Sequence, residues 1–289
     1  GDGNNSKYEG LMFVNGQVRQ AVDSNHEDAY FNADFSGQTL DIYIKMWTGL
    51  EGGGPQKIQH YTLKALCYGV LNQTVVQTYD YLSNIVGVIG QLEIDEPLRY
   101  AYLNLMTDSF DQFNWAQLDA DTITTVCQRV LTQIKAFIAA HPNQKKAYQI
   151  TAVGHTHIDV AWLWRLKHTR EKVARSFSTV LELMNEYPDY VFFQSTPQDY
   201  AFLAEDYPEL FDQIQQRIKE GRWEANGGTW LEPDTNIPSG ESLTRQFLYG
   251  GQYFKDHFSA KQNVLWLPDV FGYSAATPQI MHQLGVDNF

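Results

Sequence analysis

His155-Thr156-His157-Ile158-Asp159 follows directly on the apolar run Ile150-Thr151-Ala152-Val153-Gly154. Side chains alternate along a strand, so residues 155, 157 and 159 project to one side. Two imidazoles and a carboxylate gathered at a strand end suit a divalent metal, zinc above all, because the nitrogen donors favour it. A lone His-X-His pair is more often structural than metal-binding; the added Asp159 tips the reading toward a site. His155 is the outlying member and orients the others from behind if it is not itself a ligand. Asp269 closes a second apolar run, Asn263-Val264-Leu265-Trp266-Leu267, and sits between Pro268 and Val270 with no charged neighbour. A carboxylate in such surroundings needs a cation or strong donors to stay ionised, or else serves as a cap or turn residue. If a metal is bound, Asp269 is the natural further ligand. A third stretch, Gly227-Gly228-Thr229-Trp230-Leu231-Glu232-Pro233-Asp234, combines an indole with carboxylates. That combination suits a carbohydrate pocket, where the ring covers the apolar face of a sugar and the acids accept its hydroxyls. The alternative is Trp230 in the core with Glu232 and Asp234 solvated.

The elements that must position these residues are β-strands alternating with amphipathic helices from Lys146 onward. Strands are expected over 149–154, 190–193, 223–226 and 263–267. Between them run helices carrying Val173, Phe177, Val180, Leu181 and Met184, then Leu210, Phe211, Ile214 and Ile218, then Leu243, Phe247, Leu248 and Phe254. Thr196 with Pro197 starts one helix, Tyr207-Pro208 restarts it, Gly221 stops it and Ser239 caps another. Repeated βα units predict a parallel sheet with its functional groups beyond the C-terminal strand ends. Residues 1–58 read as the C-terminal part of a β domain. Leu11-Met12-Phe13-Val14 turns at Asn15-Gly16, and a half-buried strand follows over Leu40–Trp47. Glu51–Pro55 closes that region. Residues 59–145 read as a helical linking segment, its clearest helix capped near Asp121 and carrying Ile123, Val126, Val130, Ile134, Phe137 and Ile138.

The chain has 289 residues, 34 acidic against 21 basic, for a formal net charge of −13. That balance, spread evenly along the chain, argues against a nucleic-acid binder, which needs a basic patch. With 43% hydrophobic residues the chain builds a proper core and is not a disordered polymer. There is no apolar run long enough to span a membrane, and the polar opening is no signal peptide. Asn4-Asn5-Ser6 and Asn72-Gln73-Thr74 match a glycosylation acceptor pattern that is short enough to arise by chance. Cys67 and Cys127, each in an apolar helical pattern, read as buried free thiols of a reducing compartment. Five of the seven tryptophans (Trp162, Trp164, Trp223, Trp230 and Trp266) lie after residue 150, alongside the suspected site.

Gly154-His155-Thr156-His157-Ile158-Asp159-Val160-Ala161-Trp162, the Gly227–Gly240 stretch and Leu267-Pro268-Asp269-Val270-Phe271-Gly272-Tyr273-Ser274 resemble the α-mannosidases of glycoside hydrolase family 38. The likeness is greatest to the cytosolic and bacterial branch and covers residues 147–289. Tyr8–Trp47, with Val22-Asp23-Ser24-Asn25-His26, looks like the end of that branch's N-terminal β domain.

The resemblance implies a retaining exo-α-mannosidase, zinc-dependent and cytoplasmic, acting on α-mannoside oligosaccharides. It implies a distorted α/β barrel, of which residues 146–289 are the first part. His157 and Asp159 match two zinc ligands, and Asp269 matches the residue that is both ligand and nucleophile. Trp162 and Phe271 match aromatic positions around the terminal mannose, to which Trp230 and Asp234 are added from their own chemistry. The family's acid/base carboxylate and remaining zinc-binding histidine are expected beyond Phe289. The chain is therefore expected to be a fragment, inactive by itself. A homo-oligomer is left open. Two other readings stand beside this one: a zinc-dependent polysaccharide deacetylase, whose metal activates water, and a non-catalytic carbohydrate-binding fragment.

Overall fold

The structure, a computed structural model, describes residues 9–47, 66–117, 119–142 and 150–289. The acceptor pattern at Asn4, the break at Glu51–Pro55 and the first residue of the 149–154 run lie outside them.

The chain opens with β1 (Glu9–Val14) and β2 (Gln17–Asp23), an antiparallel hairpin. Asn15 and Gly16 turn it with φ of 51° and 82°, the left-handed pair that a two-residue turn requires and that Asn-Gly tolerates. β3 (Ile42–Trp47) pairs with the far side of β1, giving the order β2-β1-β3. It is shorter than the Leu40–Trp47 strand expected and does not alternate: Ile42, Tyr43, Ile44 and Met46 are all exposed. The strand forms the edge of its sheet, so pattern alone overstated its burial.

Next come α1 (Gln73–Gln91), α2 (Pro97–Phe110) and α3 (Ala120–Ala140). They close around Ile85, Leu105, Met106, Val126, Val130 and Ile134. The cap of α3 is Asp119 rather than Asp121: its carboxylate accepts the Thr122 amide at 2.7 Å, placing Asp121 inside the first turn. Ile138, expected on the apolar face, is exposed. Cys127 is buried on α3, but Cys67 is exposed, because α1 begins only at its Asn72 cap and leaves Cys67 outside any helix.

The βα region follows as β4 (Gly154–His155), α4 (Leu166–Glu186), β5 (Phe192–Gln194), α5 (Pro197–Asp206), α6 (Pro208–Lys219), β6 (Trp223–Ala225), α7 (Gly240–Phe258) and α8 (Thr277–Gln283). The strands form a parallel sheet of order β4-β5-β6, with Gly154, Phe192 and Trp223 in register. The strand expected over 263–267 is reduced to one parallel bridge between Val264 and Asn288 and a bond from the Trp266 amide to the Gly227 carbonyl. The reason is local. The Gln262 side chain accepts the Gly227 and Gly228 amides at 2.9 and 3.1 Å, taking the place of a main-chain partner. Leu248, assigned to the buried face of α7, is exposed, while Leu243, Phe247 and Phe254 are buried.

Compact packing divides the chain into Gly1–Thr62 with Thr151–Phe289, and Leu63–Ile150. The described part of the 1–58 segment, residues 9–47, expected as the tail of a β domain, shares a core with the βα region through its hairpin. Leu11, Phe13 and Val18 of the hairpin pack with Val173, Phe177 and Leu181 of α4 and with Phe192 and Trp223 of the sheet. Arg175 on α4 reinforces that contact with ion pairs to Glu9 at 2.9 Å and Asp23 at 3.3 Å.

Candidate metal centre

His157 and Asp159 lie not on β4 but on the loop just beyond it, held from both sides. Ile158 between them is buried, and the hydroxyl of Thr169, buried in the first turn of α4, reaches the carbonyls of Asp159 and Val160. Asp269 sits in the turn after buried Leu267, whose carbonyl accepts the Tyr273 hydroxyl at 2.8 Å. These two loops bring one donor atom from each of His157, Asp159 and Asp269 within 4.8 Å of one another. His157 Nε2 is 3.3 Å from Asp159 Oδ1 and 3.6 Å from Asp269 Oδ2. Ligands about 2.1 Å from a tetrahedral ion stand roughly 3.4 Å apart, so these two separations match edges of a zinc coordination sphere. One nitrogen and two carboxylate oxygens are also a donor set that zinc accepts, with a position left for a further ligand. The residues fit the ion.

The opposite nitrogen of the same ring, Nδ1, is 2.9 Å from Glu232 Oε2. The approach is that of an ion pair without hydrogen-bond alignment, since neither atom has an aligned partner. Contact with Glu232, helped by Asp159 and opposed by burial, holds the His157 pKa up to about 9. Glu232 follows Leu231, whose amide donates to the Gln246 side chain on α7 at 2.9 Å. Its loop is joined to that of Asp269 through Thr235, which donates to the Gly272 carbonyl and accepts the Ser274 amide. Deeper in lies Asp199, fully buried at the third position of α5, with Gln194 donating to Oδ2 at 3.0 Å and Oδ1 unpartnered. Burial pushes its pKa well above the ordinary carboxyl range, with the Glu232 charge adding and Gln194 opposing.

The remaining site residues read from the sequence go elsewhere. His155 Nδ1 bonds the Phe193 carbonyl at 3.0 Å, and its Nε2 faces the Trp266 indole N–H at 3.2 Å. An indole N–H only donates and a carbonyl only accepts, so the ring is neutral at Nε2 and protonated at Nδ1, with both nitrogens committed. It braces the sheet and does not orient His157. Trp230 donates to Gln198 at 3.2 Å, meets Tyr253 edge-on and lines a cavity of about 560 Å³ along α7, with Arg245, Gln246, Tyr249 and His257. Asp234 accepts the amides of Asn236 and Ile237 at 2.7 and 3.0 Å, which makes it an exposed turn residue. Trp162 and Phe271, three residues after Asp159 and two after Asp269, present exposed rings. Asp199 is the residue a sequence reading passes over, and Glu232, read there as a sugar-pocket or solvated acid, is instead found against His157. Glu232 had a signal, a carboxylate next to Pro233 at a strand end. Asp199, in Pro197-Gln198-Asp199, looks like any acidic residue in a first helical turn.

Comparison with known proteins agrees with the region in which this group lies. The glycosyl hydrolases family 38 N-terminal domain matches residues 147–289. The chain is 33% identical over 299 residues to alpha-mannosidase G of Dictyostelium discoideum, covering 99% of this chain and 27% of that protein. It is 32% identical over 294 residues to alpha-mannosidase 2C1 of Homo sapiens, covering 97% and 28%. An alpha-mannosidase of Saccharomyces cerevisiae is 46% identical over 141 residues, 48% of this chain and 13% of that one. The chain therefore spans little more than a quarter of the length of the relatives it matches along nearly its whole course. Residues 147–289, which carry the entire His157 group, belong to the N-terminal domain of glycosyl hydrolase family 38.

Proposed function

We propose that His157, Asp159 and Asp269 hold a zinc ion, and that the chain is part of a retaining α-mannosidase that removes terminal α-mannose from oligosaccharides in the cytoplasm. The observation that carries this reading is the convergence of the three donor atoms within 4.8 Å of one another, two of the separations being 3.3 and 3.6 Å, inside a family 38 domain. What a bound ion supplies there is positive charge for hydroxyls of the terminal mannose, orienting and distorting the ring. His157 and Asp159 anchor. Asp269 has two oxygens, and Oδ2 is the one turned toward His157. Its carboxylate attacks the anomeric carbon, and the bond to the leaving oxygen breaks with its electron pair on that oxygen. A second carboxyl group protonates the leaving oxygen; the resulting base then takes a proton from water, which attacks the same carbon and frees Asp269. The two displacements retain the anomeric configuration. Trp162 and Phe271 line the mannose subsite in this reading, and the barrel of the family surrounds it. The protonating group and a further histidine ligand come from sequence outside residues 1–289.

The test has two arms. The 289-residue chain is expected to give no turnover of an aryl α-mannoside. In a longer polypeptide containing it, Asp269→Asn is expected to lower turnover by about 10⁴–10⁶-fold, the range over which loss of one member of a catalytic group acts. Robust turnover by residues 1–289 alone removes the outside acid, and unchanged turnover in Asp269→Asn removes the nucleophile. Release of acetate from N-acetylated sugars with mannosides untouched points instead to a deacetylase.

A further inference from the structure

We propose that Glu232 is the positioning residue of His157, holding the proton on Nδ1 so that Nε2 presents its lone pair between Asp159 and Asp269. This rests on the reading of His157 as a zinc ligand and adds to it a residue that the ligand group does not contain.

The geometry separates the two faces of one ring. Nε2 faces Asp159 and Asp269 at 3.3 and 3.6 Å, while Nδ1 faces Glu232 at 2.9 Å. A histidine can serve a metal through only one nitrogen, and the bond made by the other decides which tautomer is present. Glu232 is suited to that task because it has little else to do. Its side chain is 10% exposed, and neither Oε2 nor His157 Nδ1 has another partner. A buried carboxylate oxygen left unpaired is costly, so its aim at an equally unpaired ring nitrogen is best satisfied by a shared proton. Alignment is cheap, since the last torsion of Glu is broad and soft. The backbone under Glu232 is firmly placed. The Trp230 amide donates to the Gln246 carbonyl at 2.9 Å, the Leu231 amide to the Gln246 side chain, and the Thr229 hydroxyl to the Leu231 carbonyl at 2.6 Å. A rigid carboxylate behind a ligating imidazole fixes ring rotation and raises the basicity of the ligating nitrogen.

The experiment uses the 289-residue chain, with zinc competed against a chromophoric chelator and circular dichroism as a check on folding. Glu232→Ala is expected to weaken zinc binding about 10–100-fold, and Glu232→Gln to recover part of that loss, because its amide oxygen still accepts from Nδ1. A second readout needs no metal. Nitrogen-15 spectra of the metal-free chain, at a pH where His157 is neutral, are expected to show a larger Nδ1–H population in the wild type than in Glu232→Ala, where the competing Nε2 hydrogen bond to Asp159 at 3.3 Å has no rival for the proton. Equal tautomer populations in the two proteins overturn the inference whatever the zinc result. If His157→Ala binds zinc as tightly as the wild type, the metal reading falls instead; the tautomer measurement still decides the role of Glu232.

Discussion

Asp199 takes no part in the proposed displacement, yet it is the most deeply buried acid near the centre, at 0% exposed. Its place in the first turn of α5 favours the ionised form through the helix dipole, but desolvation outweighs that and raises its pKa. The consequence for stability has a definite sign. Below the pKa of an unfolded aspartate both states carry the proton and burial brings no ionisation penalty. As pH rises past it, the unfolded chain gives up its proton while the folded chain resists, so stability is lost on going up in pH. Asp199→Asn keeps an oxygen for Gln194 and cannot ionise. It is expected to raise Tm at pH 7 by about 2–4 °C, equivalent to roughly 1 kcal/mol for a chain of this size, with the gain disappearing toward pH 4. Thermal unfolding of both proteins across that range checks it, and a gain equal at both ends would show that ionisation is not the cause. At this scale the sequence was legible where chemistry and spacing coincide. His157 and Asp159 are two residues apart at a strand end, and Asp269 stands alone in an apolar run. It was not legible for Glu232, Asp199, Trp230 or Asp234, whose roles depend on which loop faces which, and that is a property of packing between distant segments.

Two glycines decide how closely the elements under the site approach. A side chain on Gly227 would have its first carbon 2.4 Å from Ser195 Cβ, where the ends of β5 and β6 run side by side. On Gly250 it would lie 2.6 Å from the Thr229 carbonyl carbon and 2.8 Å from the Trp230 nitrogen, both backbone atoms that cannot rotate away. Helix α7 thus touches the Glu232 loop main chain to main chain. Alanine at 250 improves helix propensity by about 1 kcal/mol. It also forces the loop outward, at a cost of about 1–3 kcal/mol or more for overpacking. The net expectation for Gly250→Ala is destabilisation together with weaker zinc binding, since Glu232 moves with the loop. Urea unfolding and the same chelator competition measure the two effects. Stability and affinity both at or above wild type would mean that the loop yields freely and that Gly250 does not set its position. The element boundaries show why such contacts escape a reading of periodicity. Proline and cap signals gave the starts of α5, α6 and α7 correctly, because those are local in sequence. The strands, at two or three residues, were overestimated, and next to 263–267 the Gln262 side chain accepts the Gly227 and Gly228 amides in place of a backbone partner. β3 looked half-buried only because alternation says nothing about what lies against a sheet.

Among the described residues, two units carry buried cores with different jobs. One unit packs the N-terminal hairpin, α4–α7 and the parallel sheet in its main cluster, with a second cluster of Leu243, Phe247, Leu265, Leu267, Met281 and Val286 next to the Asp269 turn. The other, between α1, α2 and α3, contains none of the site residues. Its sequence shows amphipathic helices without a polar constellation. The sharing of one core by the hairpin and α4 was not readable, since it joins segments some 150 residues apart across the helical unit. Separate cores lead to separate stabilities, because a cavity destabilises the elements that line it and leaves distant, unconnected contacts unchanged. Ile134 is 0% exposed at the centre of the three-helix core. Ile134→Ala should therefore cost about 2–5 kcal/mol in the three-helix unit alone. Hydrogen exchange resolves this directly: amides of α1–α3 are expected to lose protection while those of α4–α7 keep theirs, and zinc binding should stay within twofold of wild type. Equal loss of protection through α4–α7 would show instead that the chain opens as one cooperative body, and that the helical unit contributes to the stability of the metal-binding loops.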